Sequence, residues 1–327
     1  NAYAGKMTRY HVNLTDHAFW LGAKCLDTCI EFRDYGASIS NDYRGISRDK
    51  LVKLPFYPEI DRDTKFQGFP FEKKDNQKVI FSGGHLYKTL GGGNKYYQMV
   101  DHILERNEDV IFWYAGSGDD QELKKILNKY PLRAFHTEER TDLFQILQRC
   151  RLYLSTYPIC GGLMYQFAAL AGKVPVTLRY DECNEGLLLN QSELNVDFDE
   201  LEPLYQEVER ILTDDKYYQI REKQMLCAVI SETEFEKKLF SILRGNYVDD
   251  IVYSEFDTRN FREEYLTRID NGDIDRLLTD KKSLNAGIKY MPSEFIRGGG
   301  KSYKENLCDV SVIVCDYNPK VKSLQYT

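Results

Sequence analysis

The chain has no apolar run of the roughly 18 residues that a bilayer-spanning helix needs, so no transmembrane segment is expected. It has no basic excess either. Lys and Arg number 44 against 51 Asp and Glu, a formal net charge of −7. Proteins that neutralise nucleic-acid phosphates carry the opposite balance, which excludes nucleic acid as a partner. None of its 8 cysteines (Cys25, Cys29, Cys150, Cys160, Cys183, Cys227, Cys308, Cys315) falls in a Cys-x-x-Cys pair. Cys25 and Cys29 have no second pair or histidine nearby, so no metal site is expected. Most of these thiols sit in apolar patterns such as RLYLSTYPIC, the pattern of buried cysteines in a reducing cytoplasm. No Gly-Lys-Ser/Thr follows its glycine clusters and no Gly-x-Gly-x-x-Gly occurs, which excludes a P-loop and a dinucleotide fingerprint. These residues hold no signal-peptide pattern, but the first residue is Asn1 rather than Met, so a missing upstream segment could have carried one.

What remains is a soluble globular balance, 42% hydrophobic and 29% charged over 327 residues. Tyrosine is unusually frequent at 24 copies, which fits a surface that meets sugars or partners, or a plain compositional bias.

Short β-rich runs alternate with helical patterns, the signature of a parallel α/β sheet. YHVNLT (10–15), Asp27–Phe32 and LVKLP (51–55) read as strands, with a helix around Phe19–Lys24. The polar stretch Tyr57–Asn76 reads as an interdomain linker. A second alternating block follows: KVIFS (78–82), DVIFWYA (109–115), LRAF (132–135), RLYLST (151–156) and VPVTL (174–178) as strands. Helices are expected over Asn94–Glu105, Asp119–Asn128, Thr141–Arg149 and Met164–Ala171, and charged periodic helices from Asp199 to about Leu243. Residues 246–307 weaken into an irregular connector, and DVSVIVCDYNP (309–319) begins a new β run. A buried strand with no following partners, and the missing Met, lead to the expectation that the chain is cut from a longer protein at both ends.

Parallel sheets bind ligands at the carboxyl ends of their strands. After KVIFS stands GGHLYKTLGGGN, where Gly84 permits close backbone approach, His85 and Lys88 supply cations, and a helix starting near Asn94 offers free N–H groups. After LRAF stand His136, Thr137 and Glu138; after RLYLST, a turn with Gly161, Gly162 and Leu163 precedes a helix. After YHVNLT stand Asp16 and His17. Each of these features has a structural alternative: a tight turn, a solvated lysine, a packed histidine. Together, on one predicted sheet edge, they mark a ligand cleft.

The ordered series GGHLYK, WYAGSG, FHT and LYLSTYPICGGLMYQFAALAGKVPV resembles the donor domain of GT-B glycosyltransferases, particularly the retaining family-four enzymes and the O-GlcNAc transferase type. VNLTDHAFWLGAKCLDTCIEFRDYG resembles the end of their acceptor domain. The resemblance covers roughly residues 8–245 and implies a GT-B fold of type α/β: residues 1–60 as the acceptor-side remnant, 61–77 as linker and 78–245 as a Rossmann-like donor domain. It implies that Gly84, His85 and Lys88 meet a diphosphate, that His136, Thr137 and Glu138 frame the nucleobase, and that Gly161, Gly162 and Leu163 face the donor sugar and phosphates. On the acceptor side it implies a catalytic pair, His17 against the transferred sugar and Asp16 as candidate base. One feature departs from the family. The helix acid that holds the ribose should fall near 167, where this chain has Gln166, Phe167 and Ala168. The run at 308–327 resembles the first strand of a family-two GT-A domain, implying a second transferase in the parent protein.

The resemblance thus implies a hexosyltransferase that moves a sugar from a nucleoside-diphosphate donor to a glycan or lipid-linked acceptor, with no cofactor or metal, in cell-surface polysaccharide synthesis. The expected place is the cytoplasm, at the inner face of the membrane. The rival readings are an inactive GT-B-like binding module, favoured by the missing acid, and an epimerase or phosphorylase of the same fold.

Overall fold

A computed structural model describes residues 5–14, 16, 22–61, 63–180, 185–247 and 250–253, and the backbone of 311–313. His17, Asp181, Glu182, Cys183, nearly all of the 246–307 connector and most of the 308–327 run lie outside the described residues. No helix among them is long and apolar enough to cross a membrane. The chain forms two compact units, residues 1–54 with 238–327, and residues 55–237.

The first unit holds β1 (Arg9–Asn13), β2 (Thr28–Glu31), α1 (Asp34–Asp42) and β3 (Leu51–Lys53). All its strand pairings are parallel. Helix α1, unforeseen in the sequence, carries Tyr35, Ala37 and Ile39 into the core. Of the helix expected over Phe19–Lys24, the described part is a single tight turn at Ala23–Cys25, entered through Gly22 in a left-handed conformation (φ 106°) that breaks helical propagation.

The second unit is built on a six-stranded parallel sheet of β4 (Lys78–Gly83), β5 (Val110–Ala115), β6 (Ala134–Thr137), β7 (Leu152–Leu154), β8 (Pro175–Leu178) and β9 (Asp197–Phe198). Their spatial order is β6-β5-β4-β7-β8-β9. Relabelled from β4, this is the 3-2-1-4-5-6 order of doubly wound nucleotide-binding sheets. All six residues of β5 are buried, as a central parallel strand covered on both faces requires. The connecting helices are α2 (Lys95–Arg106), α3 (Gln121–Lys129), α4 (Leu143–Arg149), α5 (Gly162–Leu170) and α6 (Gln191–Leu194), followed by α7 (Leu201–Thr213) and α8 (Asp215–Leu226). In α2, Tyr96, Met99, Val100, Ile103 and Leu104 form one apolar stripe at helical spacing, which is why that segment is helical and why it lies on the sheet. The α/β class expected from the sequence, with a Rossmann-like sheet in one unit and a second parallel sheet in the other, is the architecture observed, in keeping with the GT-B type.

Three sequence expectations change. The stretch read as a linker belongs to the second unit: Phe69 and Phe71 lie 5.9 Å from the Trp113 ring, and Phe66 stacks edge-on against Phe69 at 5.0 Å. The strap has no regular structure because its hydrophobic residues, spaced by Gly and Pro, serve as caps on the sheet rather than as a periodic face. Tyrosine, left between a surface role and a compositional bias, serves the interior at several positions: Tyr96, Tyr114, Tyr153 and Tyr165 are all fully buried, while Tyr87 and Tyr180 are exposed. The start of the expected connector is packed as well, with Ile251 and Tyr253 against the Leu26–Cys29–Ile46–Leu51 cluster of the first unit.

α9 (Glu232–Leu243) carries the chain back into the first unit, where the Tyr10 hydroxyl donates to the Leu243 carbonyl at 3.4 Å. The backbone of β10 (Ser311–Ile313) pairs in parallel with β1, as the edge of that first sheet.

Candidate functional site

Strand order reverses between β4 and β7, so the crevice at their carboxyl ends is where this sheet type takes a ligand. The β4 end supplies Gly83 to Lys88 and the β7 end supplies Ser155 to Gly162. The two segments meet. The Ile159 amide donates to the Lys88 carbonyl at 3.3 Å. The Lys88 Nζ lies 3.7 Å from where a Cβ on Gly161 would stand. Burial pushes the Lys88 ammonium below its ordinary pKa, an effect partly offset by neighbouring Cys160. Among the described residues no carboxylate forms an ion pair with it.

Helix α5 begins at that point. Gly161 is its N-cap, and no side chain caps this end. The amides of Gly162, Leu163 and Met164 precede the first bond of the helix, which runs from Tyr165 N to the Gly161 carbonyl at 2.9 Å. A partly desolvated ammonium beside free N–H groups and a positive helix end is an arrangement complementary to negative charge.

Two carbonyls at the end of β4 accept tyrosine hydroxyls. The Tyr114 hydroxyl donates to the Gly84 carbonyl at 3.0 Å, and that of Tyr153 to the Gly83 carbonyl at 3.5 Å. Neither tyrosine was singled out in the sequence, because each stands in an apolar strand where its ring reads as core and its hydroxyl leaves no pattern. Cys160 was also missed as a neighbour of Lys88; its Sγ accepts from the Ser155 hydroxyl at 3.3 Å.

His85 and Lys88, grouped as two cations at one point, face different ways. His85 is 60% exposed at its side chain and turns to Ser117, whose hydroxyl lies 3.3 Å from Nδ1, and to Glu139 at 3.6 Å. Ser117 in turn donates to Glu139 at 2.8 Å. His136 Nε2–H donates to the Gly116 carbonyl at 2.7 Å, and Thr137 accepts from the Trp113 indole at 3.0 Å, so both hold the ends of β5 and β6. Glu138 and Leu163 are exposed.

At the departure from the family pattern, Gln166 is 3% exposed and its amide donates to the Leu187 carbonyl at 3.0 Å. Gln191 accepts from the Leu187 and Leu188 amides at 2.8 and 3.1 Å. The two glutamines thus clamp Leu187 against α5, where its Cδ2 lies 3.2 Å from a Cβ placed on Gly162. Gln166 is thereby a packing element of the interior.

On the first unit, Asp16 is 1% exposed and gripped at both oxygens by Arg33, at 2.5 and 3.0 Å, while Arg44 donates to its main-chain carbonyl at 2.6 Å. A general base needs an open lone pair within reach of substrate. Asp16 is instead half of a buried ion pair with Arg33, an arrangement that does not present it as a base. Beside it Glu31 is fully buried, bonded by Asn13 and Ser40, with burial raising its pKa. Among the described residues no group of His, Cys, Asp and Glu is placed to hold a metal ion.

No protein-family model and no curated protein sequence matches this chain. Solved structures do resemble it in shape. WaaG, a glycosyltransferase involved in lipopolysaccharide biosynthesis, is similar at 15% identity and a TM-score of 0.48, over 67% of this chain and 63% of that one. An O-GlcNAc transferase variant from Thermobaculum terrenum matches at 15% identity and a TM-score of 0.45, over 74% of this chain and 50% of that one. MnaA of S. aureus, in complex with UDP, is similar at 13% identity and a TM-score of 0.49, over 78% of this chain and 72% of that one. This chain therefore spans less than two thirds of the length of the first two, and its likeness to all three is one of fold.

Proposed function

We propose that the second unit binds the nucleoside-diphosphate part of a sugar donor and that the chain serves a glycosyltransferase. The observation that carries this reading is the meeting of Lys88 with the uncapped start of α5, at the switch point of a doubly wound sheet. A diphosphate placed there would receive the Lys88 ammonium on one side and the amides of Gly162 and Leu163 on the other. When a glycosidic bond to the diphosphate breaks, negative charge grows on the leaving oxygen. A fixed cation and preorganised N–H donors stabilise that charge more than they stabilise the ground state. The resemblance noted in the sequence supplies the reaction class. In this reading His136, Thr137 and Glu138 frame the base from the β6 end, and His85 stands at the rim. Acceptor, sugar, polysaccharide pathway, membrane-face location and partner domain follow from the resemblance alone.

A binding module without activity is the second reading, favoured by Phe167 and the packed Gln166 where an acid would hold the ribose. Titration of uridine, guanosine and adenosine diphosphates into the protein tests the first step. At least one should bind, and Lys88→Ala should weaken it by about 1.5–3 kcal/mol, the worth of a charge-assisted bond. Binding of none of the three, or equal binding by the variant, would remove the reading. Hydrolysis or transfer from the matching nucleotide-sugar then separates an enzyme from a binding module.

A further inference from the structure

Apart from the crevice, an open groove of about 550 Å³ lies between the strap and α4. It runs along α4, and none of its lining residues belongs to the crevice. Arg149 ends α4 just before β7 begins, at the amino ends of the strands, whereas Lys88 and Gly161 lie at the carboxyl ends. The groove is the size of a small-ligand site and is open along its length.

Its lining has a definite chemistry. Phe66 and Phe144 are half-buried rings. Phe66 is held through Phe69 to the buried Trp113, so it is a fixed platform. The Arg149 guanidinium lies 4.4 Å over the Phe66 ring and donates one N–H to the Gln145 carbonyl at 2.8 Å. Lys65 and Gln148 are exposed beside it. Neither Lys65 nor Arg149 is in an ion pair among the described residues, although the chain carries a net charge of −7. Among the described residues no carboxylate lines the groove, and the Asp61 carboxylate turns into its own loop, accepting from Asp63 and Thr64. Apolar rings offer a face to the C–H side of a sugar, amide side chains match hydroxyls as donor and acceptor, and an unpaired guanidinium and ammonium call for an anion.

We propose that this groove binds an acid-bearing oligosaccharide, with Phe144 as the stacking face, Phe66 as the platform under the Arg149 guanidinium, and Lys65 and Arg149 pairing with its carboxylate or phosphate. The inference rests on the transferase reading for its biological sense: such a groove would hold a growing anionic glycan away from the reaction centre.

The test is calorimetric titration of the full chain with four probes: a glucuronate-containing tetrasaccharide, its carboxyl-reduced neutral form, a glucose phosphate and a poly-glutamate peptide. The tetrasaccharide or the sugar phosphate should bind, identifying the acid group, and the neutral form should bind at least tenfold more weakly. The double variant K65Q/R149Q, altered only at exposed side chains, should lose at least tenfold for the acidic sugar. Phe144→Ala should weaken the acidic and neutral sugars by the same factor. No binding, equal binding of the neutral form, equal binding of poly-glutamate, or no effect of K65Q/R149Q overturns the proposal. Titration of nucleoside diphosphate on the same samples keeps the two readings apart. It should be unchanged in K65Q/R149Q, and its absence from the wild type would count against the donor site and not against the groove.

Discussion

Lys88 shows how one side chain can be tuned by its place rather than by its partner. Burial depresses its pKa because the charged form loses water, and among the described residues no anion compensates. A bound diphosphate would restore the charge, so binding takes up a proton once the pH exceeds the depressed value. Nucleotide affinity should therefore fall as pH rises through that value, and the fall should vanish in Lys88→Ala. Calorimetry at several alkaline pH values, in buffers of different ionisation enthalpy, reads the proton uptake directly; a flat profile for the wild type would contradict it. Gly116 sets the same loop from below. It stands at φ +158°, and a Cβ there would fall 1.9 Å from the Gly84 carbonyl oxygen, a backbone atom that cannot step aside. Gly116→Ala should thus cost about 2 kcal/mol or more in denaturant unfolding, by strain and displacement of the β4 loop. A variant with an unchanged midpoint would show the two loops to be freely adjustable.

At the scale of elements, the start of α5 can be tested without disturbing the fold. A methyl on Gly161, where φ is −90°, would make ordinary contacts of 3.7 Å with Lys88 Nζ, Met164 and Tyr153. It would, however, occupy the space between the ammonium and the helix end. Gly161→Ala should keep its melting temperature and lose at least about tenfold in nucleotide affinity, about 1.4 kcal/mol; unchanged affinity would place the anion elsewhere. The strap makes the opposite prediction. Because Phe66, Phe69 and Phe71 cover Trp113, a fragment of residues 55–237 should fold, while 78–237 should melt lower or aggregate through its exposed aromatic face. Equal melting of the two fragments would return the strap to the status of a linker. These elements also show what the sequence could tell. The strands of the second unit were legible because runs such as DVIFWYA are apolar throughout, and the crevice was legible because glycines and cations follow strand ends. The strap was not, since three phenylalanines among Gly, Pro and charges have no period. Helix α1 was missed because DYGASISND is small and polar, and its helical form follows from packing on the sheet rather than from propensity. The ion pair of Asp16 with Arg33 joins residues 17 apart in sequence, beyond any local pattern.

For the whole molecule, the two units have separate cores and differ in what stabilises them, so they should unfold in two distinguishable steps. The first unit contains His11, 8% exposed, with its pKa lowered to about 4 by burial and by Arg44. A histidine that stays neutral when folded but titrates near about 6.5 when unfolded costs stability as pH falls between those values, up to about 3 kcal/mol. Glu31 works in the other direction. Its raised folded pKa means that the native state takes up a proton first, and stability is regained as pH falls through that value. His11→Gln isolates the histidine, because it removes the titrating group and leaves Glu31 and Arg44 in place. The second unit contains the candidate diphosphate site, and ligand at about 100 times its Kd would add about 2.7 kcal/mol. Scanning calorimetry should accordingly show one transition that moves down between pH 6.5 and pH 4.5 in the wild type more than in His11→Gln, and that ignores nucleotide. The other should move up with nucleoside diphosphate, and not in Lys88→Ala. If nucleotide raises both transitions together, or if only one transition exists at every pH, the two units fold as one cooperative body, and the acid-sensitive side of the molecule is energetically coupled to the donor crevice.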